Sequence, residues 1–141
     1  MATHAGTLSR NAEVVMASYD DFGQGNIQSL LARFAADVEF RLAEGHPYQP
    51  SGKPWTGKEA LVEHFFKKAG PEWEGWTVDV REVHELGDTV VVEARYRGLY
   101  KPTGRSMDLQ VCHVWKLRDG LVRSFHQYVD TGALQHLMGR R

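Results

Sequence analysis

The chain lacks most of the features that would assign it to a function class at sight. It has one cysteine, Cys112, which excludes an internal disulfide and fits a reducing compartment, so a cytoplasmic location is expected. It has no run of 18 apolar residues, so no helical membrane span is expected, and MATHAGTLSR lacks both the basic and the apolar parts of a secretory signal. It has no excess of charge of either sign. The 17 Lys and Arg are dispersed against 18 Asp and Glu, for a net charge of -1, which gives no electrostatic reason to expect nucleic acid or an anionic membrane as partner. There is no phosphate or nucleotide loop, no repeat, no low-complexity tract and no linker.

What is present is an ordinary globular composition, 42% hydrophobic and 25% charged over 141 residues. Residues 1–141 are read as a single domain, with 1–7 flexible. A chain of this length buries about two-thirds of the surface that it exposes when unfolded.

The stretch Val90 to Asp130 reads as three consecutive antiparallel strands. Lys101-Pro102-Thr103-Gly104 and Asp119-Gly120 each separate alternating runs of β-branched, aromatic and polar residues. With Asp119 and Gly120 at the centre of a two-residue turn, Trp115 faces Ser124, His113 faces His126 and Leu109 faces Asp130. The turn at 101–104 sets Tyr96 opposite Leu109. One sheet face then carries Met107, Leu109, Val111, His113, Trp115 and Leu117 beside Val122, Ser124, His126, Tyr128 and Asp130. A slip of one residue would exchange the two faces.

Upstream, Leu8, Ala12, Val15, Tyr19 and Phe22 share one face of a first helix that ends near Gly23-Gln24-Gly25. Asn26 caps a second helix with Ile27, Leu30, Leu31 and Phe34 inward. Val38 to Leu42 alternates as a short strand. A loop from Ala43 to Gly57 follows. Thr56 and Glu59 form a T-x-x-E capping box for a third helix that ends at Gly70-Pro71. Trp73 and Trp76 fall in a connection to a strand over Thr77 to Glu85, and Thr131 to Met138 is a terminal helix. Helices followed by a run of antiparallel strands make an α+β fold, a curved sheet with helices on one face and a pocket at the open end of the cone.

An apolar face with isolated Tyr, His and Asp groups suits a small-molecule pocket. Asp130 among Leu109, Tyr96 and Tyr128 would be partly desolvated and able to exchange protons near neutral pH, or it caps the terminal helix; both readings stay open. His113 and His126, if opposite, could act as general acid and base, or either is a core histidine bonded to a neighbour. Tyr96 and Tyr128 can donate to a carbonyl or enolate oxygen, or simply wall the core. Trp55, His46 and Tyr48 are candidates for the pocket mouth, and Tyr19, Met107, Leu109 and Val111 for its wall. His126 and Asp130 lie about 13 Å apart on a strand, too far to share an ion, so no metal is expected. No cofactor is expected either.

Several segments together resemble the SnoaL-like, ketosteroid-isomerase-like group of the nuclear-transport-factor-2-like superfamily, over nearly the whole chain. They are Tyr19 to Asn26, Leu30-Leu31-Ala32, Phe34 to Val38, Trp55 to Ala60, Gly87 to Val92, Thr103-Gly104-Arg105, and His113-Val114-Trp115 through Asp119-Gly120 to Asp130. The resemblance implies a conical α+β barrel, its curved antiparallel sheet wrapped around N-terminal helices over a deep pocket, and a homodimer packed through the sheet. It implies either cofactor-independent acid-base chemistry of the isomerase, cyclase or hydrolase type on a small carbonyl, enol or epoxide compound, or non-catalytic binding of a hydrophobic ligand. In ketosteroid isomerases the oxyanion tyrosine falls at Ser18, the base aspartate at Leu42 and the protonated carboxyl near His113. Asp130 matches a catalytic aspartate of limonene epoxide hydrolases and the acid-base aspartate of SnoaL-type polyketide cyclases.

Overall fold

The computed structural model describes residues 8–140, and the expected flexibility of residues 1–7 falls outside them. Helix α1 (Arg10–Gly23) begins after Ser9, whose hydroxyl accepts the Ala12 amide at 3.1 Å. Helix α2 (Ile27–Ala32) begins after Asn26, as the sequence predicts. Phe34 does not extend α2. It opens strand β1 (Phe34–Arg41), four residues before the expected strand, because the helix stops at Arg33, where the guanidinium pairs with Asp21 of α1.

Thr56 does not cap a helix. With Trp55 it forms strand β2 (Trp55–Thr56), paired to Glu39 and Phe40 of β1. Its backbone is held in the ladder, so the chain turns at Gly57, at a φ of 92° that favours glycine, and no side chain caps α3 (Lys58–Leu61). A π-helical turn (Val62–Phe66) and α4 (Lys67–Ala69) continue that helix. Trp73 and Trp76 belong not to a connection but to strand β3 (Trp73–Leu86), where Trp73 pairs with Tyr100. Strands β4 (Thr89–Tyr100), β5 (Arg105–Arg118) and β6 (Leu121–Val129) and helix α5 (Thr131–Leu137) complete the chain.

The six strands form one curved, unclosed sheet in the order β2-β1-β6-β5-β4-β3, and the fold is mixed α+β with the N-terminal helices over the sheet. All pairings are antiparallel except β1 with β6, which run parallel. The chain between them, through β2, the helix and strands β3 to β5, is long enough to permit this, since a parallel neighbour needs a crossover rather than a hairpin. The core between sheet and helices is drawn from every element, with Val15, Leu30, Val38, Leu61, Val92 and Trp115 among its buried members.

Tyr96 pairs with Leu109 as expected, and Asp119 (φ 54°) and Gly120 (φ 77°) form the tight turn. The β5–β6 register then departs from expectation. Leu117 pairs with Val122 but Lys116 pairs with Ser124, so Arg123 is an extra, bulged residue. Beyond it Trp115 faces Phe125, and His113 faces Gln127 instead of His126. Phe125 and Gln127 turn inward, while Ser124, His126 and Tyr128 turn outward. The cause is burial. The regular register would leave Phe125 in water, and burying a phenylalanine is worth about 1.5–3 kcal/mol, more than a serine in its place could return.

Candidate functional site

Between α1, the π-helical turn and the inner face of β4, β5 and β6 lies a cavity lined by aromatic and aliphatic side chains. The cavity volume is about 60 Å³. Helix α1 places Tyr19 and Phe22 along one wall because three-residue spacing keeps them on one face. The wider π-helical turn brings both Phe65 and Phe66 to the opposite side, although they are adjacent in sequence. Among the described residues, none that line the cavity is a carboxylate.

Most of its polar groups belong to one chain of hydrogen bonds, while the Ser18 hydroxyl donates to the Val14 carbonyl at 2.8 Å. The Trp115 indole donates to the Tyr19 hydroxyl at 2.9 Å, and Tyr19 lies 2.7 Å from Nδ1 of His113. Nε2 of His113 lies 2.6 Å from the Tyr96 hydroxyl, and Nε2 of Gln127 is 3.1 Å from the same oxygen. Tyr19 also stacks on the imidazole, with ring centroids 5.7 Å apart. His113 is 2% exposed, and burial lowers its pKa to about 3, so it is neutral at physiological pH, with one ring nitrogen donating and the other accepting. Burial raises the pKa of both Tyr19 and Tyr96, so both phenols keep their protons. Two buried atoms of lining residues have no hydrogen-bond partner: the indole nitrogen of Trp76 and Oε1 of Gln127.

The structure therefore brings together Tyr19, Tyr96 and His113. It places the remaining candidates elsewhere. Asp130 is exposed, and its Oδ1 accepts the Ala133 amide at 3.0 Å as the cap of α5. His126 and Tyr128 share the outer face, with the Tyr128 hydroxyl 3.1 Å from His126 Nδ1 and Tyr128 half exposed. The bulge at Arg123 is the physical reason, since it reverses the facing of every later residue in β6. Met107 and Val111 are buried in the core and Leu109 packs partly against it, but none of the three is among the residues lining the cavity. Trp55 stacks between Phe40 and His64 rather than at the mouth. His46 and Tyr48 are buried in the 43–57 loop, where the Tyr48 hydroxyl bonds Glu72 and accepts the Trp73 indole at 2.9 Å.

Sequence reasoning missed Gln127, Trp76 and Phe65 as members of the site. The alternation of Phe125 with Gln127 was the available signal for Gln127, hidden by assuming a regular hairpin. On the outer face, ligand atoms of Glu82, His84 and Glu93 lie within 4.8 Å of one another, all exposed. His84 Nε2 is 2.7 Å from a carboxylate oxygen of Glu93 and 3.4 Å from one of Glu82.

The SnoaL-like domain family matches residues 15–125. No curated protein matches the sequence. Among solved structures, the chain is similar to an NTF2-like protein from Burkholderia thailandensis, with 27% identity and a TM-score of 0.83 over 93% of this chain and 98% of that one. It is similar to TerC, co-crystallised with polyporic acid, at 29% identity and a TM-score of 0.83 over 93% and 99%. A proposed polyketide cyclase from Xanthomonas campestris shares the fold, at 21% identity and a TM-score of 0.79 over 92% and 96%. With the family matched over more than half of the sequence, the chain belongs to the SnoaL-like family.

Proposed function

We propose that the protein holds a small, mostly apolar molecule with a carbonyl or enol oxygen, and that neutral hydrogen-bond donors act on that oxygen. The observation that carries this reading is the buried Tyr19–His113–Tyr96 chain beside an aromatic cavity that no described carboxylate lines. An uncharged chain in a carbon-walled site meets little competition from water, so its donors stabilise negative charge on an oxygen more strongly than they would in solvent. That suits isomerase-like or cyclase-like reactions that pass through an enolate. The crystallisation of TerC with polyporic acid supports a small organic ligand for a fold of this kind.

A second reading, binding without chemistry, is favoured by a specific observation. His113 is a weak base with both nitrogens engaged, and no described lining residue offers a carboxylate to take a proton from carbon. Titration with a panel of aromatic ketones and enols, followed through the fluorescence of Trp76 and Trp115, tests the site. Mass spectrometry of the recovered compounds separates the readings. Conversion supports the enzyme, saturable binding with unaltered recovery supports the binder, and no saturable binding by any member overturns both.

A further inference from the structure

The hydrogen-bond chain under the cavity has a direction, and that direction fixes what the ligand must offer. As drawn, donors enter the chain at both ends, the Trp115 indole at Tyr19 and the Gln127 amide nitrogen at Tyr96. Between them lie two gaps, Tyr19 to His113 and His113 to Tyr96, each needing one proton. Three protons are available: one on each phenol and one on the neutral imidazole. One hydroxyl proton is thus left without an acceptor, while Oε1 of Gln127, in a side chain 1% exposed, is left without a donor.

A half-turn of the Gln127 amide removes both defects. Oε1 then occupies the position 3.1 Å from the Tyr96 oxygen and accepts the Tyr96 proton. His113 donates from Nε2 to Tyr96 and accepts from Tyr19 at Nδ1, and Tyr19 accepts from Trp115. Each of the three phenol and imidazole protons is then used once and all bonds run one way, which is also the arrangement in which hydrogen bonds strengthen one another, and of the chain's donors only the two amide N–H groups of Gln127 are left without an acceptor. An amide nitrogen and oxygen are close enough in size that the bonding pattern decides their placement.

We infer that Gln127 presents its amide N–H groups, not its oxygen, to the cavity, and that with the unpartnered Trp76 indole it makes a donor-only site for the carbonyl-type oxygen of the ligand. Both residues border Tyr96; the Trp76 ring stands edge-on to it with centroids 5.1 Å apart. The site therefore selects compounds with a bare acceptor oxygen and discriminates against equally shaped compounds without one. This rests on the cavity being the ligand site, as proposed above, and makes Gln127 a residue that determines specificity.

Two measurements test it. In protein labelled with nitrogen-15 at histidine, long-range nitrogen–proton correlations report which His113 nitrogen carries the proton. The Nε2–H tautomer is expected, and the Nδ1–H tautomer overturns the inference. Binding of acetophenone is then compared with that of α-methylstyrene, which replaces the carbonyl oxygen by a methylene of similar shape. The protein is expected to prefer the ketone by about tenfold, the size of one net hydrogen bond. Gln127→Leu, which leaves the Trp76 indole in place, is expected to reduce the preference several-fold while retaining α-methylstyrene. Equal binding of the two compounds by the unaltered protein, or a preference unchanged in Gln127→Leu, overturns the inference but leaves the ligand site standing. Binding of neither compound overturns both.

Discussion

His113 and Tyr96 sit on neighbouring strands with imidazole Nε2 2.6 Å from the phenol oxygen, and on its other side the same ring reaches Tyr19 at 2.7 Å. Tyr96 is buried and Tyr19 partly so, and the imidazole joins the Tyr19–Trp115 pair to the Tyr96–Gln127 pair. Replacing His113 by Phe keeps a ring of similar size but takes one hydrogen-bond partner from each hydroxyl. The cost of an unsatisfied buried group is about 1–3 kcal/mol, so a loss of roughly 2–4 kcal/mol is expected in urea unfolding. Tyr96→Phe leaves Nε2 of His113 and the Gln127 amide without that partner, so a loss of similar size is expected.

Stability should also fall with acid. Burial lowers the pKa of His113 to about 3 and that of His46 to about 4, both below the ordinary 6.5 of the unfolded chain. Below pH 6.5 the unfolded state takes up protons that the folded state refuses, so acid favours unfolding. The stability from these two groups is fully present above pH 6.5 and is lost as the pH falls toward their folded values. Unfolding free energies from urea titrations at pH 7 and pH 4.5 should differ by an amount on the order of several kcal/mol. His46→Gln should narrow that difference, and an unchanged difference would remove His46 from the account.

The parts of this fold written in local patterns were legible in the sequence. Asn26 as a cap, Asp119-Gly120 as a turn and Tyr96 opposite Leu109 all follow from short-range chemistry. What was not legible depended on choices made far along the chain. Thr56 satisfies the capping pattern with Glu59, yet it pairs with Glu39 from another part of the sequence. Arg123 carries no mark of a bulge. It is pushed out because Phe125 gains a buried place against Trp115, their centroids 4.8 Å apart, and Phe40 at 4.4 Å. Of the expected site residues before that bulge, Tyr19, Tyr96 and His113 stayed together while Trp55, Met107, Leu109 and Val111 packed elsewhere; those after it, His126, Tyr128 and Asp130, lie away from the cavity.

Asp130 provides a direct check of the outcome at that outer face. Asparagine caps helices about as well as aspartate, so Asp130→Asn should leave the urea midpoint nearly unchanged, and Asp130→Ala should cost about 1 kcal/mol. Neither change touches the cavity. Ligand binding followed by Trp76 and Trp115 fluorescence should be unaltered in both variants, and a loss of binding in Asp130→Asn would return the carboxylate to the site.

The outer sheet face offers a test of the homodimer implied by the family resemblance. Tyr128 is 50% exposed there, and with Val91, Cys112 and Val129 it lines a shallow groove. Light scattering at micromolar concentration should give the mass of two 16.0 kDa chains. Tyr128→Glu should shift it toward one chain, because a carboxylate at the centre of such a face loses its hydration on association. A single-chain mass for the unaltered protein would end the dimer proposal.

The bulge itself makes the sharpest demand on the sequence. Deleting Arg123 would restore the regular two-residue hairpin without changing any other side chain. Lys116 would still face Ser124, Trp115 would face Phe125 and His113 would face Gln127, because the residue removed is the one that has no partner on β5. Phe125 keeps its place against Phe40, and Gln127 its place in the His113 network. The deletion variant should therefore keep a cooperative thermal transition, with His113 still in its buried network. Loss of the transition, or of that network, would mean that the bulge does more than bring Phe125 inward.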